Sequence, residues 1–263
     1  MKPFIVTSAF DFRSAHGNKQ GENKMRKSTF MYSSWLLLFA ATLQPQAVFA
    51  ADAAANIRAD LANGETIYNQ GKGDATACNG CHGEKALGMD AMEAPRLANI
   101  GEEYVIKQLD DYASGLRTDP GAGAAMNDIA KALNAQDRLD VAAYLDSFVY
   151  ATESSDLKAL AADGNKVGTP KEGKIIMTKG IKPLVPACQD CHGFSGRAQN
   201  IPAIHQQKYV YLVNQLKRYR DGSRANDRKI YKYGIMRGIA KDLSDENIAD
   251  IAAYLSTVTE LTP

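Results

Sequence analysis

All four cysteines of this 263-residue chain sit in two copies of one short pattern. The first copy is Cys78-Asn79-Gly80-Cys81-His82 and the second is Cys188-Gln189-Asp190-Cys191-His192. Two thiols three positions apart share one face of a helical turn, where each can form a thioether with a vinyl group of a porphyrin. The histidine that follows can then present its imidazole to the iron. Cys-x-x-Cys alone would also suit a redox disulfide, but that chemistry accompanies a βαβ pattern, and this sequence has no strand-rich stretch. Two such pairs could hold a structural zinc, yet zinc ribbons place their pairs roughly 15–20 residues apart. Cys81 and Cys188 are far beyond that spacing, and each pair carries its own histidine. The motifs therefore predict two covalent haem c groups, attached at Cys78, Cys81, Cys188 and Cys191, with His82 and His192 on the irons.

An iron held by one histidine needs a partner on its other face. The candidates after the leader are Met89, Met92, Met126, Met177, Met236 and His205. A single methionine is ordinarily a filler of core gaps. Met126 and Met236, however, follow their histidines at the same sequence distance, each in a Gly-rich run ahead of a closing helix. Two methionines in register read as the second axial ligands. A thioether opposite histidine raises the reduction potential. Met89, Met92 and His205 have no counterparts in the other copy, and His205 reads as a surface or loop residue.

The elements that must position these groups also come in pairs. Gly64 and Gly173 open each unit, and Gly71 and Gly180 precede the cysteine motifs. Tyr104, Gln108, Leu109, Tyr112, Gly115 and Arg117 match Tyr211, Gln215, Leu216, Tyr219, Gly222 and Arg224. Asp140-Val141-Ala142-Ala143-Tyr144-Leu145 matches Asp250-Ile251-Ala252-Ala253-Tyr254-Leu255. Such self-similarity marks a tandem duplication. Apolar residues recur at i, i+3 and i+4 through both Tyr-to-Tyr segments, as in amphipathic helices. Asn134 and Ser244 begin segments with the polar caps and early acids of helix starts. The reading is all-α, with an N-terminal domain over 51–150, a Ser/Asp/Gly/Ala-rich linker over 151–170 and a C-terminal domain over 171–263.

Residues 1–50 read as a leader. Arg26 and Lys27 precede the short apolar run Trp35-Leu36-Leu37-Leu38-Phe39-Ala40-Ala41, and Val48-Phe49-Ala50 supplies a cleavage site after Ala50. The run is far short of the ~20 residues that span a bilayer. Met25 begins a signal peptide of ordinary length, so translation is expected to start there. Export places the protein in the periplasm, soluble or held at the membrane periphery.

Charge is unevenly shared. Residues 51–150 carry 8 basic and 16 acidic side chains, and residues 151–263 carry 17 and 12. An electrically polar molecule of this kind can orient differently toward different partners. The basic half has no nucleic-acid-binding motif.

Taken together, both Cys-x-x-Cys-His motifs, the Pro95-Arg96-Leu97 and Pro202-Ala203-Ile204 segments, the Gln-Leu helices ending in Gly-x-Arg and the two late methionines resemble the di-haem cytochrome c4 family. The resemblance implies two tandem class I cytochrome c domains, each wrapped around its haem. It also implies that the carbonyls of Pro95 and Pro202 accept the Nδ1 hydrogens of His82 and His192. The implied role is transfer of single electrons from a cytochrome bc complex or a dehydrogenase to a terminal oxidase or reductase, without a small-molecule substrate. Two rivals stand beside it: a cytochrome subunit tightly bound to a periplasmic dehydrogenase, and a di-haem oxidoreductase. The latter would need an open iron, or a spare cysteine that this chain lacks.

Overall fold

Glycine lets the first and last helices of each repeat touch backbone to backbone. A Cβ at Gly64, in α1 (Leu61–Gln70), would lie 2.2 Å from the Asp140 carbonyl oxygen in α5 (Ala135–Asp146). At Gly173, in α7 (Pro170–Lys179), it would lie 1.9 Å from that of Asp250 in α11 (Asp245–Leu255). Only a residue without a side chain permits such a crossing. The caps fix where these helices begin. The Asp60 carboxylate accepts the Ala62 and Asn63 amides at the start of α1. Reciprocal capping boxes, Asn134 with Asp137 and Ser244 with Asn247, start α5 and α11.

The computed structural model describes residues 58–148, 153–193, 200–227, 229–230 and 233–258. The leader, with the expected start at Met25 and cleavage after Ala50, lies outside them. Everything described belongs to one compact unit, residues 52–263. Between its outer helices the first repeat holds α2 (Asn79–His82), α3 (Glu102–Ser114) and α4 (Ala125–Ala132). The second holds α8 (Gln189–His192), α9 (Tyr209–Asp221) and α10 (Ile235–Ala240). Among the described residues the one sheet is a hairpin of β1 (Lys229–Ile230) and β2 (Tyr233–Gly234), too short to alter the all-α class.

Each repeat has its own apolar core. In the first, Ile67, Tyr68, Val105, Leu109, Tyr112, Val141 and Leu145 are buried together. In the second, Ile176, Met177, Tyr209, Leu212, Ile248, Ile251 and Leu255 do the same. Val105, Leu109, Tyr112 and Leu212 are positions of the periodic pattern, and the others come from residues outside it. Met177 is fully buried, so it serves packing.

The segment expected as a linker is partly folded. Asp156 caps α6 (Leu157–Ala162), and Leu160 is buried in the core of the second repeat. The Ser155 hydroxyl accepts the Tyr209 amide, and the Ser155 amide donates to the Ser256 carbonyl. A cap followed by leucines three apart outweighs the loop-like composition. The repeats also join directly. The Ala203 amide donates to the Ile100 carbonyl at 3.0 Å. Gln207 clasps the backbone of Arg96 through both side-chain atoms, at 2.6 and 2.9 Å. Arg218 pairs with Glu93 at 2.7 Å.

Candidate functional site

Each Cys-x-x-Cys-His motif forms one helical turn at the end of a loop fixed by glycine. Gly71 (φ +78°) and Gly180 (φ +68°) close α1 and α7, and a Cβ on either would strike the backbone of the loop that follows. The turn then presents one half-buried and one exposed thiol in each copy: Cys78 with Cys81, and Cys188 with Cys191. None of the four is in a disulfide. Burial pushes the Cys78 and Cys188 thiols up to about 11.

The histidines are oriented from behind. His82 Nδ1 lies 2.9 Å from the Pro95 carbonyl oxygen, and His192 Nδ1 lies 3.0 Å from that of Pro202. A hydrogen on Nδ1 leaves the lone pair on Nε2, the atom that a ligand histidine offers to a metal. Burial drives both imidazoles toward the neutral form, with the proline carbonyls pulling more weakly the other way. A neutral imidazole is what iron binds.

Met126 and Met236 stand in the first turns of α4 and α10, rather than on open loops. The alanine-rich stretch around Met126 favours a helix over the loop that its glycines predict. The residue after each methionine anchors that turn, by different chemistry in the two repeats. Asn127 donates to the Tyr112 and Arg117 carbonyls, both at 2.8 Å. Arg237 instead pairs with buried Asp227 at 2.9 Å. Met126 packs against the first core, and Met236 is half-buried. Met92 is exposed. His205 is half-buried, and its carbonyl accepts from Arg96 at 2.9 Å.

A third set of residues, matched between repeats but without a sequence-derived role, forms the seam between them. The Gln108 oxygen accepts from Arg117 at 2.8 Å within its own repeat and from Arg224 at 3.0 Å across the seam. The Gln215 oxygen accepts from Arg224 at 2.7 Å and from Arg117 at 3.2 Å. Each guanidinium also reaches a tyrosine of the other repeat, Arg117 to Tyr211 and Arg224 to Tyr104. The symmetry breaks at one position. Asp119 pairs with Arg117 at 2.6 Å, whereas Asn226 stands beside Arg224. Polar residues recurring in register on an otherwise apolar helix face were the available signal for this seam.

The residues fit haem. Each motif supplies two thiols and an oriented, neutral imidazole. Two buried donors at the seam, Arg117 Nε and Gln215 Nε2, have no hydrogen-bond partner in the protein. Orphaned buried donors carry a large penalty, and an anionic group such as a propionate would satisfy them.

Comparison with known proteins agrees with this chemistry. The family model described as cytochrome c matches residues 61–148 and 171–259. A protein of Stutzerimonas stutzeri named thiosulfate dehydrogenase electron acceptor is 34% identical over 207 residues, covering 77% of this chain and 89% of that one. A crystal structure of reduced recombinant cytochrome c4 from Pseudomonas stutzeri matches with TM-score 0.59 and 30% identity, over 76% of this chain and 98% of that one. A structure of the thiosulfate dehydrogenase TsdBA from Marichromatium purpuratum matches with TM-score 0.63 and 27% identity, over 75% of this chain but only 40% of that one. The chain belongs to the di-haem cytochrome c4 family. It is an electron-transfer cytochrome with two tandem cytochrome c domains, each carrying a covalently bound haem c.

Proposed function

We propose that His82 with Met126 and His192 with Met236 fill the axial positions of the two irons. We further propose that the protein carries single electrons in the periplasm from a dehydrogenase to the respiratory chain. With both axial positions filled by protein, neither iron offers a site to a substrate, so the chain relays electrons and transforms nothing itself. The observation that carries the choice of donor is likeness over 89% of a protein named as the electron acceptor of a thiosulfate dehydrogenase. Pro95 and Pro202 serve by holding the two imidazoles, and the four cysteines by tethering the haems. Export rests on the leader. Among the described residues no helix is long and apolar enough to cross a membrane.

The test is direct. Oxidised holoprotein is mixed with purified thiosulfate dehydrogenase and thiosulfate, and haem reduction is followed by absorbance. Full reduction of both haems is expected, dependent on enzyme and substrate together. No reduction there, with rapid reduction by a quinol–cytochrome c oxidoreductase, would move the donor to a cytochrome bc complex. Carbon monoxide should bind the reduced protein poorly, and ready binding would reopen the enzyme reading.

A second reading draws on the TsdBA match, where the matched part is 40% of a longer chain. Here the cytochrome would be a tightly bound subunit of its dehydrogenase. Co-elution of the two proteins at nanomolar concentration would favour it over a diffusing carrier.

A further inference from the structure

The first turn of a helix leaves its backbone amides without partners inside the helix. Helix α10, which carries Met236 in that turn, has Gly234 at its cap position, where there is no side-chain oxygen to accept them. The acceptor comes from further back in the chain. The hairpin of β1 and β2 returns the backbone so that Gly234 lies beside Asp227. The Asp227 carboxylate accepts the Arg237 amide at 3.0 Å and the Arg237 Nε at 2.9 Å. Its side chain is 2% exposed. A negative charge at this end of a helix is also favoured by the helix dipole. A Cβ at Gly234 would lie 2.2 Å from both carboxylate oxygens, so glycine is what lets the carboxylate reach in. Met236 therefore stands between two points fixed by one side chain: Gly234, packed against Asp227, and Arg237, bonded to it.

The residue before Asp227 is held by the other repeat. Asn226 Nδ2 donates to the Gln108 oxygen at 3.0 Å and to the Asp111 carboxylate at 2.7 Å, and the Asn226 carbonyl accepts from Lys107 at 2.8 Å. All three partners belong to α3. From its own repeat, Arg224 Nε donates to the Asn226 side-chain oxygen at 3.1 Å. The first repeat is built otherwise. With Arg117 aligned to Arg224, Pro120 takes the place of Asp227, and Ala124 caps α4. There Asn127 holds the turn to carbonyls of its own repeat.

We propose that Asp227 is the positioning residue for Met236, clamping the turn that presents this thioether, and that Asn226 ties the clamp to α3 of the first repeat. The proposal rests on the reading of Met236 as an axial ligand. It makes the hold on the second iron depend on contacts made by the other domain, whereas the hold on the first iron depends on Asn127 alone. A ligand kept in place by its surroundings is harder for a competitor to displace, because the freed side chain has nowhere to relax.

The experiment titrates ferric holoprotein with imidazole, which displaces a thioether from iron: one bond to the metal forms as another breaks, and no electron moves. In a Met126→Ala background the remaining far-red band reports Met236 alone. Asp227→Ala should lower the imidazole concentration that removes half of this band about tenfold, as expected for loss of charged hydrogen bonds. Asn226→Ala should lower it about threefold, since its bonds are mostly neutral. Arg237→Lys keeps the backbone amide and the positive charge, and should stay within about twofold of the parent. Ser244→Ala removes the cap of α11 and lowers the melting temperature, and it too should leave the titration within about twofold. If Met126→Ala fails to load haem, the same titration on the unaltered background reads the clamp in half of the band. An Asp227→Ala protein that melts earlier but releases Met236 no more easily than the parent would make the pair merely structural and overturn the proposal. So would equal loosening by Ser244→Ala. An unchanged Asn226→Ala would overturn the part given to the first repeat. A Met126→Ala protein that holds both haems and shows no far-red band would overturn the axial reading of Met236, and the proposal with it.

Discussion

Met126 and Met236 were singled out by register alone, and the structure adds what holds each in place. Replacing either by alanine should open one iron, lower the potential of that haem and remove about half of the far-red band of ferric Met ligation. The parent spectrum in both single variants would return Met92 or His205 as candidates. Asp119 makes a second residue-scale case. Burial alone would raise its carboxyl, but Arg117 and the Tyr112 hydroxyl outweigh burial and hold it below the usual carboxylate range. A depressed carboxyl stabilises the fold above its unfolded pKa of about 3.9 and loses that contribution as pH falls through the folded value. Asp119→Asn should therefore destabilise the protein by about 3 kcal/mol at neutral pH. The difference should shrink as the pH drops below about 4, where the unfolded chain takes up the proton first, and vanish once the folded carboxyl protonates as well. Thermal melts across pH measure it, and a constant difference would contradict the assignment. Haem attachment was legible because the spacing of the cysteines is itself the chemistry. Asp119 was not, since its part depends on a buried arginine that sequence does not place beside it.

Elements follow the same division. Helix starts at Asn134 and Ser244 could be read because capping is local, a matter of three residues. The folded part of the supposed linker was hidden, because α6 is only six residues long and earns its stability by burying Leu160 in another element. Helices that short are not stable by themselves. Gly64 and Gly173 could be recognised as repeat markers, but the reason for them needs the crossing. Gly64→Ala and Gly173→Ala should each push apart a helix pair and cost about 3 kcal/mol, at the upper end of overpacking penalties. Gly238, inside α10, provides the contrast. A Cβ there meets nothing within 4 Å, so Gly238→Ala should stabilise by about 0.5–1 kcal/mol through helix propensity. Haem-band melts of the three variants would show opposite signs. A stabilising Gly64→Ala would mean that the close α1–α5 contact is wrong.

At the scale of the molecule, the tandem repeat was plain in the sequence, but a repeat says nothing about whether its halves touch. Here they meet through buried polar groups. Arg117 and Arg224 are 4% and 3% exposed, and both serve the oxygens of Gln108 and Gln215. Each glutamine thus bonds one arginine from its own repeat and one from the other. Removing either member strands a buried donor or acceptor on the far side of the seam. The two repeats should therefore unfold together, in one transition followed by the haem bands. Gln108→Ala should weaken both repeats, although it lies in one. A double-mutant cycle makes the claim quantitative. Gln108→Ala combined with Arg224→Gln should depart from additivity by about 1 kcal/mol or more, because the two share a bond across the seam. Gln108→Ala combined with Gly238→Ala should be additive within about 0.5 kcal/mol, because Gly238 takes no part in that network. If the first pair proves as additive as the second, the seam bonds contribute no coupling. Independent melting of the two repeats would then be expected instead.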